Sequence, residues 1–222
     1  MKVVLQSGGG KDSIFALYEF RRSYPDAYVS GMLVTITRDF SRVSMHGVRE
    51  KLIERQAESM GLKLFKSYIP RNASNEVYID ATLSTLRKIA YSVGLDGVIF
   101  GDIFLEDIRK FREELLKRLD LKPIFPLWRR DTRKLAEEFV DLGFRTVVVV
   151  IDRTRLSEEF LCREFDRSFL NDLPSGVDPM GENGEFHTFV YDGPTFDYGV
   201  KFNRGGIHRS GDFSYCDLTI DR

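Results

Sequence analysis

The stretch MKVVLQSGGGKDS, residues 1–13, decides the fold of this chain of 222 residues. Its apolar run at 2–6 predicts a short buried strand, and the glycines end that strand before a helix that begins at Asp12. A glycine-rich loop between a strand and a helix suits phosphate, because its backbone N–H groups and the helix N-terminus both favour an anion. The stretch therefore predicts the opening strand, loop and helix of a phosphate-binding α/β fold.

Buried strands and amphipathic helices alternate along the chain as far as Asp102. We predict further strands at 28–37, 64–69 and 97–100, and further helices at 47–60 and 75–93. This alternation is typical of right-handed βαβ units with a Rossmann-like parallel sheet and helices on both faces. The opening loop, residues 37–47 and the pair Gly101-Asp102 all follow strands, so they should converge on one cleft at the carboxyl ends.

The pattern changes after Asp102, and we place a domain boundary near residue 120. The elements predicted after Asp102 are helices at 108–119, 132–142 and 158–173, a turn at 123–128, and strands at 147–151, 185–191 and 213–220. The chain then divides into an α/β domain at 1–120 and a smaller α+β domain at 121–222.

The composition, with 42% hydrophobic and 30% charged residues, is typical of a globular protein. A net charge of −1 gives no basic footprint for nucleic acid, and no apolar run reaches the roughly 20 residues of a membrane span. The two cysteines, Cys162 and Cys216, form no C-x-x-C pair, so we expect free thiols, a reducing compartment and a cytoplasmic protein. The sequence does not decide the oligomeric state, and a homodimer is among the states that it allows.

The opening loop fits one of three phosphate-binding templates. The Walker A loop G-x-x-x-x-G-K-[ST] needs Gly and Ser or Thr where the chain has Leu5 and Asp12. The dinucleotide motif G-x-G-x-x-G fails at Ser13. The loop S-G-G-x-D-S of the N-type ATP pyrophosphatases matches five of six positions from Gly8 to Ser13, with Gly8 in place of serine.

In such a loop the glycines admit phosphate to backbone N–H groups, Lys11 supplies positive charge, and Asp12 holds a Mg²⁺ ion that bridges phosphates. These groups would stabilise the charge on pyrophosphate as it leaves the α-phosphorus. Ser7, one position before Gly8, is the alternative hydroxyl for the missing serine. A plain glycine turn that opens a helix is the competing interpretation.

A second cluster, DPMGENGEFHTFVYDGP at 178–194, concentrates carboxylates, glycines and one histidine. Its strand pattern predicts that Glu185 and His187 point to one side, and that Phe186 and Thr188 point to the other. A carboxylate beside an imidazole can bind ammonium or accept its proton. An acidic surface hairpin is the competing interpretation.

Together these stretches resemble the diphthine–ammonia ligase (diphthamide synthetase) family of ATP pyrophosphatases, over essentially the whole chain. The matching pieces are GGKDS at 9–13, SMH at 44–46, QAE at 56–58, Gly97 with Gly101-Asp102, PLW at 126–128 and GENGEF at 181–186. The resemblance implies a HUP-type domain that uses ATP and Mg²⁺, and a C-terminal substrate domain. It also implies that ATP adenylates a carboxylate, pyrophosphate leaves, and ammonia displaces AMP to form an amide.

The resemblance and the residue patterns together give the candidate site. The expected ATP-binding residues are Ser7, Gly8, Gly9, Gly10, Lys11, Asp12, Ser13, His46, Gly101 and Asp102. The expected catalytic residues are Lys11, Asp12, Glu182, Glu185 and His187, with Asp12 as the metal ligand and Asn183 and Thr188 as substrate-binding residues.

The chain departs from the diphthamide-forming members, which look like G-E-G-G-E-[FY]-E-[TS] at 181–188, at Asn183 and His187. Its ENGEFHT version looks like a bacterial-type branch thought to act in other pathways, such as cobalamin salvage. The acceptor is then either diphthine on elongation factor 2 or a different carboxylate. A tRNA-modifying enzyme is disfavoured by the isolated cysteines, and an ATP-binding module without catalysis has no use for the clustered carboxylates.

Overall fold

The computed structural model describes residues 1–220, which form two β-sheets and six α-helices. The first sheet contains β1 (Lys2–Gln6), β2 (Tyr28–Thr37), β3 (Arg42–Val43), β4 (Leu64–Ile69), β5 (Gly97–Ile99) and β6 (Lys122–Ile124). The second contains β7 (Arg145–Asp152), β8 (Phe186–Asp192), β9 (Asn203–Ser210) and β10 (Phe213–Thr219). The helices are α1 (Lys11–Ser23), α2 (Glu50–Ser59), α3 (Asn75–Val93), α4 (Glu106–Lys117), α5 (Thr132–Asp141) and α6 (Arg167–Asp172).

The first sheet is parallel in the order β4-β2-β1-β5-β6, with the short β3 antiparallel to the end of β2. The chain builds outward from β1 through β2 to β4, then crosses back to β5 on the other side of β1. Strand order therefore reverses between β1 and β5. A crevice opens there at the carboxyl ends, which is where open α/β sheets bind ligands.

Neighbouring residues of β1 bury their side chains on opposite faces of this sheet. Val3 packs with Ile14 of α1 in the larger apolar cluster. Val4 packs with Leu86 of α3 and Leu116 of α4 in the smaller one. Helices cover both faces, so the predicted α/β fold with a parallel sheet is confirmed. Within residues 1–220, no helix has the length and apolarity needed to cross a membrane.

The larger apolar cluster extends without a break into the second, antiparallel sheet, whose order is β8-β7-β10-β9. Val147 to Ile151 of β7 and Phe189 of β8 are buried together with Phe15 of α1. The two halves of the chain thus share one core. The boundary near residue 120 remains a prediction, and the last two residues of the predicted 121–222 domain lie outside the described part.

Three elements of the second half differ from the prediction. The predicted helix at 158–173 is wrong in its middle, because only a 3₁₀ turn at Glu158–Phe160 and α6 are helical. Between them Phe165 N–H donates to Thr146 O on β7, so the backbone pairs with a strand instead. Strand β6 begins at 122 and overlaps the predicted turn at 123–128, and β9 was not predicted.

The expectation of two free thiols is also wrong, since Cys162 and Cys216 form a disulfide. Cys162 follows the 3₁₀ turn, and Cys216 lies buried on β10, with Cα atoms 5.6 Å apart. The sequence gives no spacing signal for this pair, because 54 residues separate them and only the second sheet brings them together.

Reduction of this disulfide should destabilise the fold. Closing a loop of 54 residues lowers the entropy of the unfolded chain, worth about 4 kcal/mol by the loop-entropy relation. We expect dithiothreitol to lower the thermal midpoint by roughly 10 °C, measured by circular dichroism. The double variant Cys162→Ser/Cys216→Ser should melt at the same temperature as the reduced wild-type protein. Dithiothreitol should not change the thermal midpoint of this variant. Two titratable thiols in the unreduced, denatured protein would contradict the disulfide.

Candidate active site

A cavity of about 400 Å³ lies at the carboxyl ends of β1, β2 and β5, within the size range of small-molecule sites. The three segments expected to converge do so, and a fourth comes from the second half of the chain. The lining includes Ser7, Gly8, Gly10, Asp12 and Ser13 from the opening loop; Val43 to His46; Gly101 and Asp102; and Gly181, Glu182, Gly184, Phe186 and His187.

The opening loop closes on itself through its serines. Gly9 N–H donates to Ser7 Oγ at 2.9 Å, and Ser7 Oγ lies 2.6 Å from Ser13 Oγ. Ser13 Oγ in turn donates to Gly10 O at 3.0 Å. Ser7 therefore occupies the loop as a structural hydroxyl, one position before the serine of the template.

The loop is also fastened to β8, far away in sequence. Val190 N–H donates to Gly9 O at 3.0 Å, and Lys11 N–H donates to Thr188 Oγ1 at 3.1 Å. The buried Gln56 of α2 donates from Nε2 to both Gly9 O and Val190 O, at 2.9 and 2.6 Å. Thr188, expected to contact substrate, is buried and caps the first N–H of α1 instead of lining the cavity.

Two glycines are needed because other groups approach them closely. A Cβ on Gly101 would lie 2.6 Å from the backbone of Asp12 and Ser13, so the end of β5 packs directly on the start of α1. A Cβ on Gly8 would lie 2.6 Å from the His46 ring. Both contacts are shorter than ordinary van der Waals distances and exclude any larger residue without movement.

Lys11 does not project into the cavity. Its side chain is buried, with Nζ 3.1 Å from Asp12 Oδ2 and 4.9 Å from the ring centroid of Phe186. Asp12 does line the cavity, and its Oδ1 is buried without a partner among residues 1–220. Burial raises the pKa of Asp12, and the charge of Lys11 opposes that rise.

The carboxyl groups of the second cluster take two different positions. Glu182 lines the cavity, where burial and the nearby Asp12 raise its pKa to about 8. Glu185 does not line the cavity: it is buried, and its Oε1 accepts from Asp178 N–H and Asn183 Nδ2, both at 3.1 Å. Glu185 and His187, predicted to point to one side, take different places, since His187 lines the cavity and Glu185 does not.

The two cavity histidines lie against each other. The rings of His46 and His187 have centroids 4.7 Å apart and planes inclined by 32°. Burial lowers the pKa of His46 to about 4, and burial together with His46 lowers that of His187 to about 3. Both imidazoles are therefore neutral near pH 7, so this side of the cavity carries no charge from them.

The β5 side of the cavity contains residues that the sequence did not single out: Tyr78, Phe100, Leu105 and Arg112. Arg112 of α4 lies over the Phe100 ring, 4.7 Å from its centroid, and contacts Asp102 Oδ2 and Tyr78 Oη, both at 3.4 Å. Tyr78 is on α3, so three elements meet here. No local spacing signals such a group, and Arg112 reads in sequence as one charge of a charged helix.

The donor set fits a Mg²⁺ ion held mainly by phosphate. Within residues 1–220, no three His, Cys, Asp or Glu residues are grouped as metal ligands. Mg²⁺ commonly uses one or two protein carboxylates and completes its shell with water and substrate phosphates. The unpaired Oδ1 of Asp12, at the N-terminus of α1, is suited to that role.

Curated relatives resemble the chain over most of its length. It is 27% identical to the diphthine–ammonia ligase of Danio rerio, covering 88% of this chain and 84% of the relative. It is 26% identical to that of Saccharomyces cerevisiae, covering 95% of this chain and 36% of the relative. Among solved structures, U34-tRNA thiolase NcsA from Methanococcus maripaludis, with its 4Fe-4S cluster, is 18% identical with a TM-score of 0.39, covering 64% and 57% of the two chains.

Two family models match almost the whole chain. The diphthamide synthase N-terminal domain matches residues 1–123, and the diphthamide synthase C-terminal domain matches residues 131–221. The first match contains the glycine loop and the β5 side of the cavity, and the second contains the Glu182–His187 segment. Family membership supports a ligase that uses ATP. The chain belongs to the diphthamide synthase family.

Proposed function

We propose that this protein is an ATP-dependent ligase that converts a carboxylate to its amide. In the first step a carboxylate oxygen attacks the α-phosphorus of ATP, and the bond to pyrophosphate breaks. In the second, ammonia attacks the acyl carbon, AMP leaves, and the ammonia nitrogen loses a proton. The observation that carries the proposal is Asp12, which lines a nucleotide-sized cavity at the start of α1 and has an Oδ1 without a partner among residues 1–220.

The glycine loop would hold the phosphates. Gly8, Gly10 and Ser13 line the cavity, and the N-terminus of α1 adds partial positive charge there. Asp12 would hold Mg²⁺, which when bound neutralises phosphate charge and favours departure of pyrophosphate. Lys11 would act indirectly, through Asp12. Its buried Nζ lies 3.1 Å from Asp12 Oδ2, and this positive charge stabilises the ionised form of Asp12.

Glu182 would serve the second step. Its pKa of about 8 lies near neutral pH, where a carboxyl group can both accept and release a proton. That property suits a group that takes the proton from attacking ammonia. Glu185 supports this role by accepting hydrogen bonds from Asn183 Nδ2 and Asp178 N–H, which orders the turn that carries Glu182.

The acceptor is either diphthine, which the relatives' name specifies, or another carboxylate. The neutral pair His46 and His187 favours the second, because the diphthamide-forming pattern has a carboxylate at position 187. A carboxylate from a cobalamin-salvage substrate is an acceptor of that kind. An ATP-binding module without catalysis predicts nucleotide binding without AMP, which a carboxylate panel with ammonium and an AMP assay would detect.

Asp12→Asn should abolish the reaction. The amide keeps the shape of the side chain but removes the charge that would hold Mg²⁺, so we expect at least a roughly 100-fold fall in pyrophosphate release. Asp107→Asn, in the first turn of α4, is the matched control and should behave as wild type. Pyrophosphate release by Asp12→Asn at the wild-type rate would overturn the assignment.

Gly8→Ser by itself should lower stability and ATP affinity. The same substitution should be tolerated when position 46 carries a smaller residue. The new Cβ would meet the His46 ring at 2.6 Å, so the single variant should lose stability and ATP affinity. In Gly8→Ser/His46→Ala the space is vacant, and a double-mutant cycle should give a coupling of about 1–2 kcal/mol. The cycle needs urea unfolding and calorimetric ATP titration of all four proteins, and strict additivity would contradict the contact.

Acid should destabilise the fold through the two cavity histidines. Their folded pKa values, about 4 and about 3, lie below the unfolded value, so the unfolded chain binds protons first as pH falls through 6.5. We expect each to remove about 1–2 kcal/mol of stability between pH 7 and pH 5. In the variants His46→Gln and His187→Gln, the stability measured by urea unfolding should change less between pH 7 and pH 5 than in wild type. His208→Gln, on exposed β9, is the control, and an equal effect from it would refute the assignment.

A further inference from the structure

We propose that Arg112 and Tyr78 form a carboxylate subsite on the β5 side of the cavity, which holds the acyl acceptor beside the nucleotide. The proposal rests on the ligase function above and adds the residues that recognise the acceptor's negative charge. Neither side chain belongs to the sequence motifs of the chain, and both line the cavity.

The cavity needs a positive charge to admit a carboxylate. Asp12 and Asp102 line it, and the negative charge of a carboxylate repels an anionic substrate. Among residues 1–220, Arg112 is the only Lys or Arg that lines the cavity, since Lys11 is buried beneath it. The Arg112 side chain is 20% exposed, so a ligand in the cavity can reach it.

The guanidinium has hydrogen-bonding capacity to spare. Its contacts to Asp102 and Tyr78, at 3.4 Å, are at the long limit for hydrogen bonds, and Nη2 has no partner among the described residues. Tyr78 Oη accepts from Arg112, which leaves its own proton for a ligand. The Phe100 ring fixes the plane of the guanidinium from one side. A carboxylate can accept two parallel bonds from such a fork.

Arg112 lies apart from the glycine loop that would hold the phosphates. Arg112 is on α4, whose Leu116 packs on the sheet face of Val4, whereas α1 packs on the opposite face through Ile14. The loop donors and Arg112 therefore approach the cavity from opposite faces of the first sheet. A carboxylate held by Arg112 can then meet the α-phosphate between them.

The test uses trifluoroacetate as the carboxylate probe, observed by ¹⁹F line broadening on protein loaded with α,β-methylene-ATP. We expect saturable broadening that acetate displaces. Arg112→Gln should weaken trifluoroacetate binding by at least about tenfold, and Tyr78→Phe severalfold. Arg109→Gln, which removes a guanidinium that pairs with Glu113 on the same helix, should match wild type. Calorimetry should show the nucleotide dissociation constant within about twofold in all variants.

Unchanged broadening in Arg112→Gln, or none in wild type, would overturn the subsite. So would a tenfold loss of nucleotide affinity in Arg112→Gln, because Arg112 would then bind phosphate. Arg112→Lys keeps the charge without the paired N–H donors and decides the matter if Arg112→Gln unfolds: its trifluoroacetate affinity should fall severalfold below wild type, and an unchanged affinity would overturn the subsite. Failure of wild type to bind α,β-methylene-ATP would count against the ligase function, while trifluoroacetate binding to the nucleotide-free protein would still decide the subsite.

Discussion

The carbonyl oxygen of Gly9 is the point on which the cavity depends. It accepts one hydrogen bond from Val190 of β8 and another from Gln56 of α2, so three distant parts of the chain meet at one atom. The glycine loop has few side chains that could hold it in place, and hydrogen bonds to β8 hold it instead. A cavity built this way exists only when both sheets are packed together, which agrees with the single apolar cluster that joins them.

The buried lysine changes how the loop handles charge. A lysine that reaches into a cavity would bind phosphate directly, but Lys11 lies under the loop between Asp12 and the Phe186 ring. Its charge therefore offsets the cost of an ionised Asp12 in a place where burial alone would favour protonation. Asp12 remains free to act through Oδ1, and direct contact with anions is left to backbone N–H groups and to Arg112.

The sequence predicts most strands of both sheets and misses the short β3 and β6 and the exposed β9, for physical reasons. Strands β1 and β2 are buried over most of their length, and their continuous apolar runs mark them clearly. Strand β9 is exposed along its whole length and contains Gly205 and Gly206, so it has no pattern to read. The segment 161–166 has helical apolar spacing, yet its backbone pairs with β7. Long-range placement explains the remaining misses: Arg112, Tyr78 and the disulfide depend on contacts between elements that no local pattern encodes.

The departures from the motif pattern belong together. Gly8 stands where the motif has a serine, and His187 stands where it has a glutamate. The two residues lie 179 positions apart in the sequence. In the structure His46 touches both, since its ring fills the space above Gly8 and lies 4.7 Å from His187. A serine at position 8 would require the His46 ring to shift, so Gly8 permits the observed contact between the two imidazoles. Because His46 packs on Gly8 and Gly10 and also contacts His187, both departures lie beside the glycine loop, on the cavity lining they share.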